Sequence, residues 1–246
     1  MSRDHHPSSF GPTWPNPSAG TGQYQMSGAV ELWLPTPGTS DANQTFTQWC
    51  WSTQVIQSMV MTSEIAWYRR GAGMGENNLG SIVWSLNDIW EGINWATIEY
   101  SGRWKVVNYG LASVYAPVII QPFWMPENET LTVLVTSDRW ETVDGMAQLT
   151  WYDWHGHVLD TSTTSFSVPS LNNSLIYEGT GLGTVLPTGH DASDVWLLMN
   201  LTAQVDGETV TSESYVSIVL SAPMGDRLTT PTPPVHPSLA CTGESC

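Results

Sequence analysis

The sequence predicts two unlike halves, α/β over residues 1–118 and all-β over residues 119–222, followed by a proline-rich unfolded tail over 223–246. Two observations carry this reading. In the first half, helical periodicity, a short apolar run, a polar-aromatic loop and a second helical stretch follow one another. In the second, short segments of alternating apolar and polar residues recur between turn signals, the pattern of an antiparallel sandwich of roughly immunoglobulin type.

Residues 1–45 are rich in Pro, Gly, Ser and Asn. They are too long for an ordinary connection and read as an elaborated loop or the cut edge of something larger. Tyr24, Val30 and Trp33 recur near helical spacing and predict a short helix over 23–34. A longer helix is expected over 46–70, where Phe46, Trp49, Ile56, Met59, Val60 and Trp67 recur at three- and four-residue steps. Asp41 or Asn43 caps its start, and Gly71 and Gly73 stop it. Ile82, Val83 and Trp84 predict a short buried parallel strand over 80–85. Residues 104–114 read as helix again. Two helices and one strand cannot close a (β/α)8 barrel, and a buried parallel strand needs neighbours on both sides. The first 118 residues therefore read as the end of a domain that begins elsewhere.

In the second half Leu131, Val133 and Val135 alternate with hydroxyl residues. Similar strands are expected at 147–154, 163–168, 174–178, 195–204 and 213–220. His155-Gly156, Asp206-Gly207 and glycines 179, 181 and 183 mark turns between them.

Composition narrows the functions. A hydrophobic content of 41% with 12% charged residues describes a globular chain. The net charge of −16 rests on seven scattered basic residues, which argues against nucleic acid and anionic membrane surfaces as partners. No apolar run approaches the roughly 18 residues of a membrane span. The residues after Met1 lack the apolar core of a secretory signal. Four glycosylation sequons, at Asn43, Asn128, Asn172 and Asn200, nevertheless point with the acidic pI to a secreted protein. Cys50 reads as a small buried hydrophobe, and Cys241 and Cys246 form a disulfide or nothing. His5-His6 and His155-Gly156-His157 lack metal-site spacing, and Gly71–Gly75 lacks the Lys and Ser/Thr of a phosphate loop. No cofactor is expected.

The stretch 79–119 is the most informative. It gathers Trp84, Trp90, Trp95 and Trp104 around Asn87 and Asp88. Indole faces accept the C–H faces of a sugar, and amide and carboxylate groups bind its hydroxyls. Each has a structural alternative: Trp84 as core, Asn87 and Asp88 as turn caps, Trp90 and Trp95 as loop packing.

The same stretch resembles the family-two β-mannosidases, glycoside hydrolases with a catalytic barrel. The resemblance rests on Leu86-Asn87-Asp88-Ile89-Trp90, then Trp95 to Lys105 (WATIEYSGRWK), then Tyr109 to Pro117. Thr53-Gln54-Val55 and Tyr68-Arg69-Arg70 fit as well. Arg3 to Pro7 and Gly75 to Gly80 point to the fungal members. The resemblance implies the C-terminal remnant of a (β/α)8 TIM barrel followed by an immunoglobulin-like β-sandwich. It implies a retaining exo-β-mannosidase, which uses two carboxyl groups about 5–5.5 Å apart. Those glutamates match no position here and are expected upstream of Arg3. Asn128-Glu129 falls after the barrel, and Glu99 falls in its final loop. Glu64 lies mid-helix, where it pairs with a neighbouring Arg, and Glu99 with Lys105 reads as a structural pair.

On this reading Trp84 is the platform under the terminal sugar, and Asn87, Asp88, Trp90 and Trp95 complete one wall of the site. The catalytic residues are absent, and the chain alone is expected to be inactive. Its partner is a β-mannoside oligosaccharide, reached through the missing or complementing barrel half. The alternative is a non-catalytic carbohydrate-binding or glycoprotein module. The exposed edge of a partial barrel predicts aggregation.

Overall fold

A computed structural model describes residues 22–91 and 94–218. The predicted tail, Arg3 to Pro7, Cys241 and Cys246 lie outside the described residues. Helix α1 spans Gly22–Trp33 and α2 spans Ala42–Arg70. The Asp41 carboxylate caps α2, accepting hydrogen bonds from the backbone N–H groups of Asn43 at 2.8 Å and Gln44 at 3.3 Å. Such a cap is worth about 1 kcal/mol. Cys50 is half-buried in α2, and burial, then the charge of Glu99, push its thiol pKa up.

At its far end α2 does not stop on a left-handed glycine. Gly71 keeps φ at −61°, and the chain continues into a 3-10 turn over Gly71–Gly73. The glycines serve close approach instead. A Cβ on Gly73 would sit 2.4 Å from Asn172 Oδ1 in the facing strand. Helix α3, Val106–Val114, crosses α2 at Gly110, where a Cβ would come within 2.6 Å of Ser58 Oγ. Ile65, Ala66, Val107, Leu111, Val114 and Ile119 form the small core between them. Glu64 finds no arginine: it accepts the Tyr68 hydroxyl at 2.6 Å, one helical turn on.

The predicted strand over 80–85 is not formed, and Ile82 is 95% exposed. The described residues offer no strand beside it, so its backbone has nothing to pair with. The (β/α)8 remnant is accordingly absent as strand geometry, leaving helices and a loop.

Seven strands follow: β1 Val118–Met125, β2 Thr130–Ser137, β3 Val143–Asp153, β4 Val158–Val168, β5 Asn172–Thr180, β6 Val195–Val205 and β7 Glu208–Val216. A short helix α4, Leu182–Val185, sits between β5 and β6. They make an antiparallel sandwich, with β1-β2-β5 on β4-β3-β6-β7. In β6, Val195, Leu197, Met199, Leu201, Ala203 and Val205 point inward, facing Val133, Val135 and Ile120 in one core.

Several strand assignments differ from expectation, and β3 and β4 begin at Val143 and Val158 rather than at 147 and 163. β1 escapes the alternation pattern because it carries Pro122, tolerated at a sheet edge where one side of the strand is unpaired. The last strand starts at Glu208, not 213. Asp206 and Gly207, with φ of 54° and 81°, make a two-residue hairpin that pairs Val205 with Glu208.

The helical layer meets the sandwich at a corner held by Arg69, which is buried. Its Nη1 donates to the carbonyls of Val114 and, at 3.0 Å, Ala116, while Nη2 lies 2.8 Å from Asp138 Oδ2. Asp138 in turn donates its N–H to Pro117 O at 2.9 Å. Nearby, Trp67 meets Phe123 edge-on at 5.8 Å, and Asn173 Nδ2 donates to Arg70 O at 2.6 Å. No helix among the described residues is long and apolar enough to cross a membrane.

At the β3–β4 turn Asp153 accepts the backbone N–H groups of His155 and His157 at 2.8 and 2.9 Å, with His157 Nδ1 2.8 Å from Oδ2. Burial alone would raise its pKa, but the hydrogen bonds from His157 and His155 lower it to about 2. A depressed carboxylate contributes stability above its ordinary pKa near 4 and loses it as the pH falls toward 2. Asp153→Asn is therefore expected to melt below the parent at neutral pH, with the gap closing below pH 4. A gap that does not depend on pH in thermal melts would refute this. Arg69→Leu is expected to cost about 2–3 kcal/mol, from lost charge-assisted hydrogen bonds. Urea unfolding followed on the helical signal tests it, and an unshifted midpoint would show that the corner does not depend on Arg69.

Candidate functional site

The loop between the 3-10 turn and α3 carries every residue of the predicted sugar wall. It runs through residues 78–84, crosses a cis peptide at Trp84–Ser85, and folds back on itself. Thr97 N–H donates to Ser85 O and Leu86 O at 3.1 Å each, Ile98 N–H to Leu86 O at 2.9 Å, and Asp88 N–H to Ile98 O at 2.9 Å. Lys105 N–H donates to Thr97 O at 2.9 Å, closing the loop beside α3. Gln57 Nε2 donates to Trp95 O at 2.8 Å, and Gln54 Oε1 accepts the first N–H of α3, from Val106, at 3.1 Å. Two glutamines of α2 thus clamp both the loop and the helix that follows.

Beneath this backbone lies a buried ion pair, Lys105 Nζ to Asp88 Oδ2 at 3.2 Å. The two side chains are 9% and 3% exposed. Asp88 therefore holds the loop and does not face outward as a ligand for sugar hydroxyls. The expected Glu99–Lys105 pair is also replaced. Glu99 lies 3.8 Å from Arg103 and accepts the Ser101 hydroxyl at 3.2 Å. Asn87 is exposed, its side-chain amide donating to Asp88 O at 3.1 Å, which is the turn-capping role.

The apolar side chains point the other way. Trp84 is 74% exposed, Trp95 60% and Trp90 57%, with Leu79, Leu86, Ile89 and Tyr100 also exposed. Trp104 packs edge-on against Tyr109 at 5.4 Å. The loop is inside-out: polar groups and an ion pair within, a sheet of indole and aliphatic surface without. So many large apolar side chains exposed on one loop suit a contact surface. The structure thus brings Trp84, Asn87, Trp90 and Trp95 to one exposed loop and withdraws Asp88. Sequence reasoning missed Lys105 as the partner of Asp88 and Gln57 as the clamp, because neither spacing has a local signature.

The sequons divide. Asn43, at the start of α2, and Asn128, in the β1–β2 turn, are exposed. Asn172 is half-buried, its Oδ1 accepting the Asn173 N–H at 2.7 Å, and Asn200 is half-buried in mid-β6. Among the described residues no group of three His, Cys, Asp or Glu side chains is placed to hold a metal ion.

Residues 129–217, nearly the whole sandwich, match the family described as Mannosidase Ig/CBM-like domain. Over about four fifths of its length the chain is similar to fungal β-mannosidases. It is 39% identical over 212 residues to β-mannosidase A of Neosartorya fischeri, covering 83% of this chain and 22% of that protein. It is 40% identical over 210 residues to β-mannosidase A of Aspergillus fumigatus, covering 82% and 22%. The chain thus spans about a fifth of the length of the curated relatives it matches. Its fold is also that of part of the β-D-mannosidase of Dictyoglomus thermophilum, with a TM-score of 0.62 at 17% identity over 81% of this chain and 22% of that one. An exo-chitosanase of Amycolatopsis orientalis gives a TM-score of 0.54 at 18% identity, over 77% and 21%.

Lys105→Met leaves the Asp88 carboxylate buried and unpaired, and is expected to destabilise the chain by about 3 kcal/mol. Arg103→Met, at an exposed pair, is expected to change stability by less than about 0.5 kcal/mol. Equal shifts in denaturant midpoint for the two variants would refute the ion pair's role.

Proposed function

We propose that this chain supplies the closing strand, loop and last helix of a glycoside hydrolase barrel, with the sandwich attached, in a retaining exo-β-mannosidase that removes terminal β-linked mannose. The observation that carries the reading is the inside-out loop. Its interior already holds the Asp88–Lys105 pair and the backbone bridges, while Ile82, Trp84, Leu86 and Ile89 present apolar area that another surface can cover. A barrel built from the rest of the enzyme is that surface. Residues 80–85 then pair as its eighth strand, for which the described residues offer no neighbour. The fungal relatives, named β-mannosidases, support the substrate class.

In the assembled site Trp84 lies at the carboxyl end of that strand, the end where such barrels hold their chemistry. Its indole stacks under the terminal mannose, excludes water from that face and fixes the ring for in-line attack. Asn87 offers its amide to a hydroxyl, and Trp90 and Trp95 line the rim. Asp88 and Lys105 position this wall without touching substrate. The nucleophile and the acid/base carboxyl come from the complementing part, and the double displacement between them requires water and no cofactor. The parent enzyme is secreted, with Asn43 and Asn128 as its accessible glycosylation positions in this region.

The purified chain is expected to release no nitrophenol from nitrophenyl β-D-mannoside, and activity is expected when it is joined or added to the complementing barrel. In that assembly Trp84→Ala is expected to lower kcat/KM roughly tenfold or more, from loss of about 1.5 kcal/mol of stacking. Turnover by the chain alone, or a Trp84→Ala assembly with unchanged kcat/KM, would overturn the assignment.

A further inference from the structure

A second concavity, to which none of the Trp-rich loop contributes, opens between the helical pair and the sandwich. It has a volume of about 1230 Å³ and is half open to solvent. One wall is α2 and α3, presenting Ser58, Thr62 and Ser113. The other is the edge of β7 and the outer face of the β4-β3-β6-β7 sheet.

The register of that sheet builds an ordered surface. Gln148 of β3 pairs with Asn200 of β6, and Asn200 with Glu213 of β7. Because Ala147, Leu149, Met199 and Leu201 face the core, Gln148, Asn200 and Glu213 share the outer face as one row. Successive groups stand about 4.8 Å apart, the distance between neighbouring strands. Aromatic rings flank the row. Tyr215 of β7 pairs with Leu198 one step along the same face and is exposed.

At the end of the sheet Trp196 stacks on Tyr152 with centroids 4.9 Å apart and planes 18° apart. The indole N–H of Trp196 donates to Asp153 O at 3.1 Å, and that of Trp154 to Ser193 O at 2.7 Å. Both indoles are therefore held in place before any ligand arrives, which removes part of the ordering cost of binding.

The lining selects the ligand. Glu213 is its one charged group among the described residues, and no cation lines it, so phosphate and other anions are disfavoured. The amide–carboxylate row and the hydroxyl-bearing helical wall equally disfavour a purely apolar occupant. Locked indoles beside paired amide and carboxylate groups suit a neutral, polyhydroxylated molecule. The volume exceeds the roughly 300–1,000 Å³ of small-molecule pockets, which suits an oligomer better than a monosaccharide.

We infer that the outer face of the four-stranded sheet, from Trp154 and Trp196 across Gln148, Asn200 and Glu213, is a binding site for a neutral oligosaccharide, separate from the Trp84 wall.

The full chain titrated with β-1,4-linked mannotetraose, followed by calorimetry and tryptophan fluorescence, tests this. Saturable binding is expected, with Kd on the order of 0.1–1 mM. Gln148→Ala and Glu213→Ala, both at exposed positions, are each expected to weaken it roughly fivefold, and Trp196→Ala tenfold or more. Trp84→Ala is expected to leave it unchanged, so that failure here and failure of the barrel assignment are told apart. Three outcomes would overturn the site: no saturable binding, Gln148→Ala and Glu213→Ala titrations that match the parent, or binding lost in Trp84→Ala. A variant ending at Ile218 is expected to bind as the full chain does; binding seen only after that truncation would assign the cleft to residues 219–246 instead. A glycan found on Asn200 by mass spectrometry would likewise overturn it, since the modification would occupy the row.

Discussion

Arg69 is the interaction on which the arrangement of the two layers depends. A guanidinium buried this far is costly unless its charge is compensated. Here the carbonyls of Val114 and Ala116 accept from Nη1, and the Asp138 carboxylate supplies the opposite charge beside Nη2. Those acceptors come from the last turn of α3, the bend before β1 and the loop after β2, three separate pieces of chain. Satisfying one cation therefore fixes the end of α2, the end of α3 and the start of the sandwich together. The carbonyl end of a helix is also where a positive charge is most favoured, so α3 contributes its dipole to the same corner.

From that corner the structure develops in opposite senses. The sandwich buries its two inner faces against each other, while Ile119 and Phe123 on its outer side pack on the helices. The loop before α3 is the reverse, its Asp88–Lys105 pair within and its tryptophans without. Neither half of that inversion is accidental in energetic terms. The ion pair and the glutamine clamps order a loop that has no apolar core of its own, and the apolar exterior gains its stabilisation only when covered. The two candidate carbohydrate surfaces follow from this contrast. The Trp84 wall depends on a second body to complete it, whereas the cleft on the outer sheet face is lined by paired strands and by α2 and α3 of the chain itself.

Elements specified within one stretch of sequence were legible. The Asp41 cap, the helical spacing of α2, the alternation of β2 and β6 and the Asp206-Gly207 turn each depend on residues a few positions apart. The Trp-rich loop was legible as a cluster of tryptophans beside Asn87 and Asp88 for the same reason: its composition is local. β1 was not, since Pro122 and an apolar start hide its period.

What the sequence determined by itself is therefore the inventory: three helices, a Trp-rich loop, a β-sandwich and a resemblance to β-mannosidases. Tertiary structure alone decided which polar groups are spent inside. Lys105 takes Asp88 rather than Glu99, Glu64 takes Tyr68 rather than an arginine, and Arg69 takes a carboxylate from beyond β2. It also decided that residues 80–85 form no strand with the other described residues, and that Gln148, Asn200 and Glu213, on three strands, form one row. The physical reason is common to all of these. Local propensity and period act between near neighbours, while ion pairing and strand register depend on which distant groups the fold brings within a few ångströms.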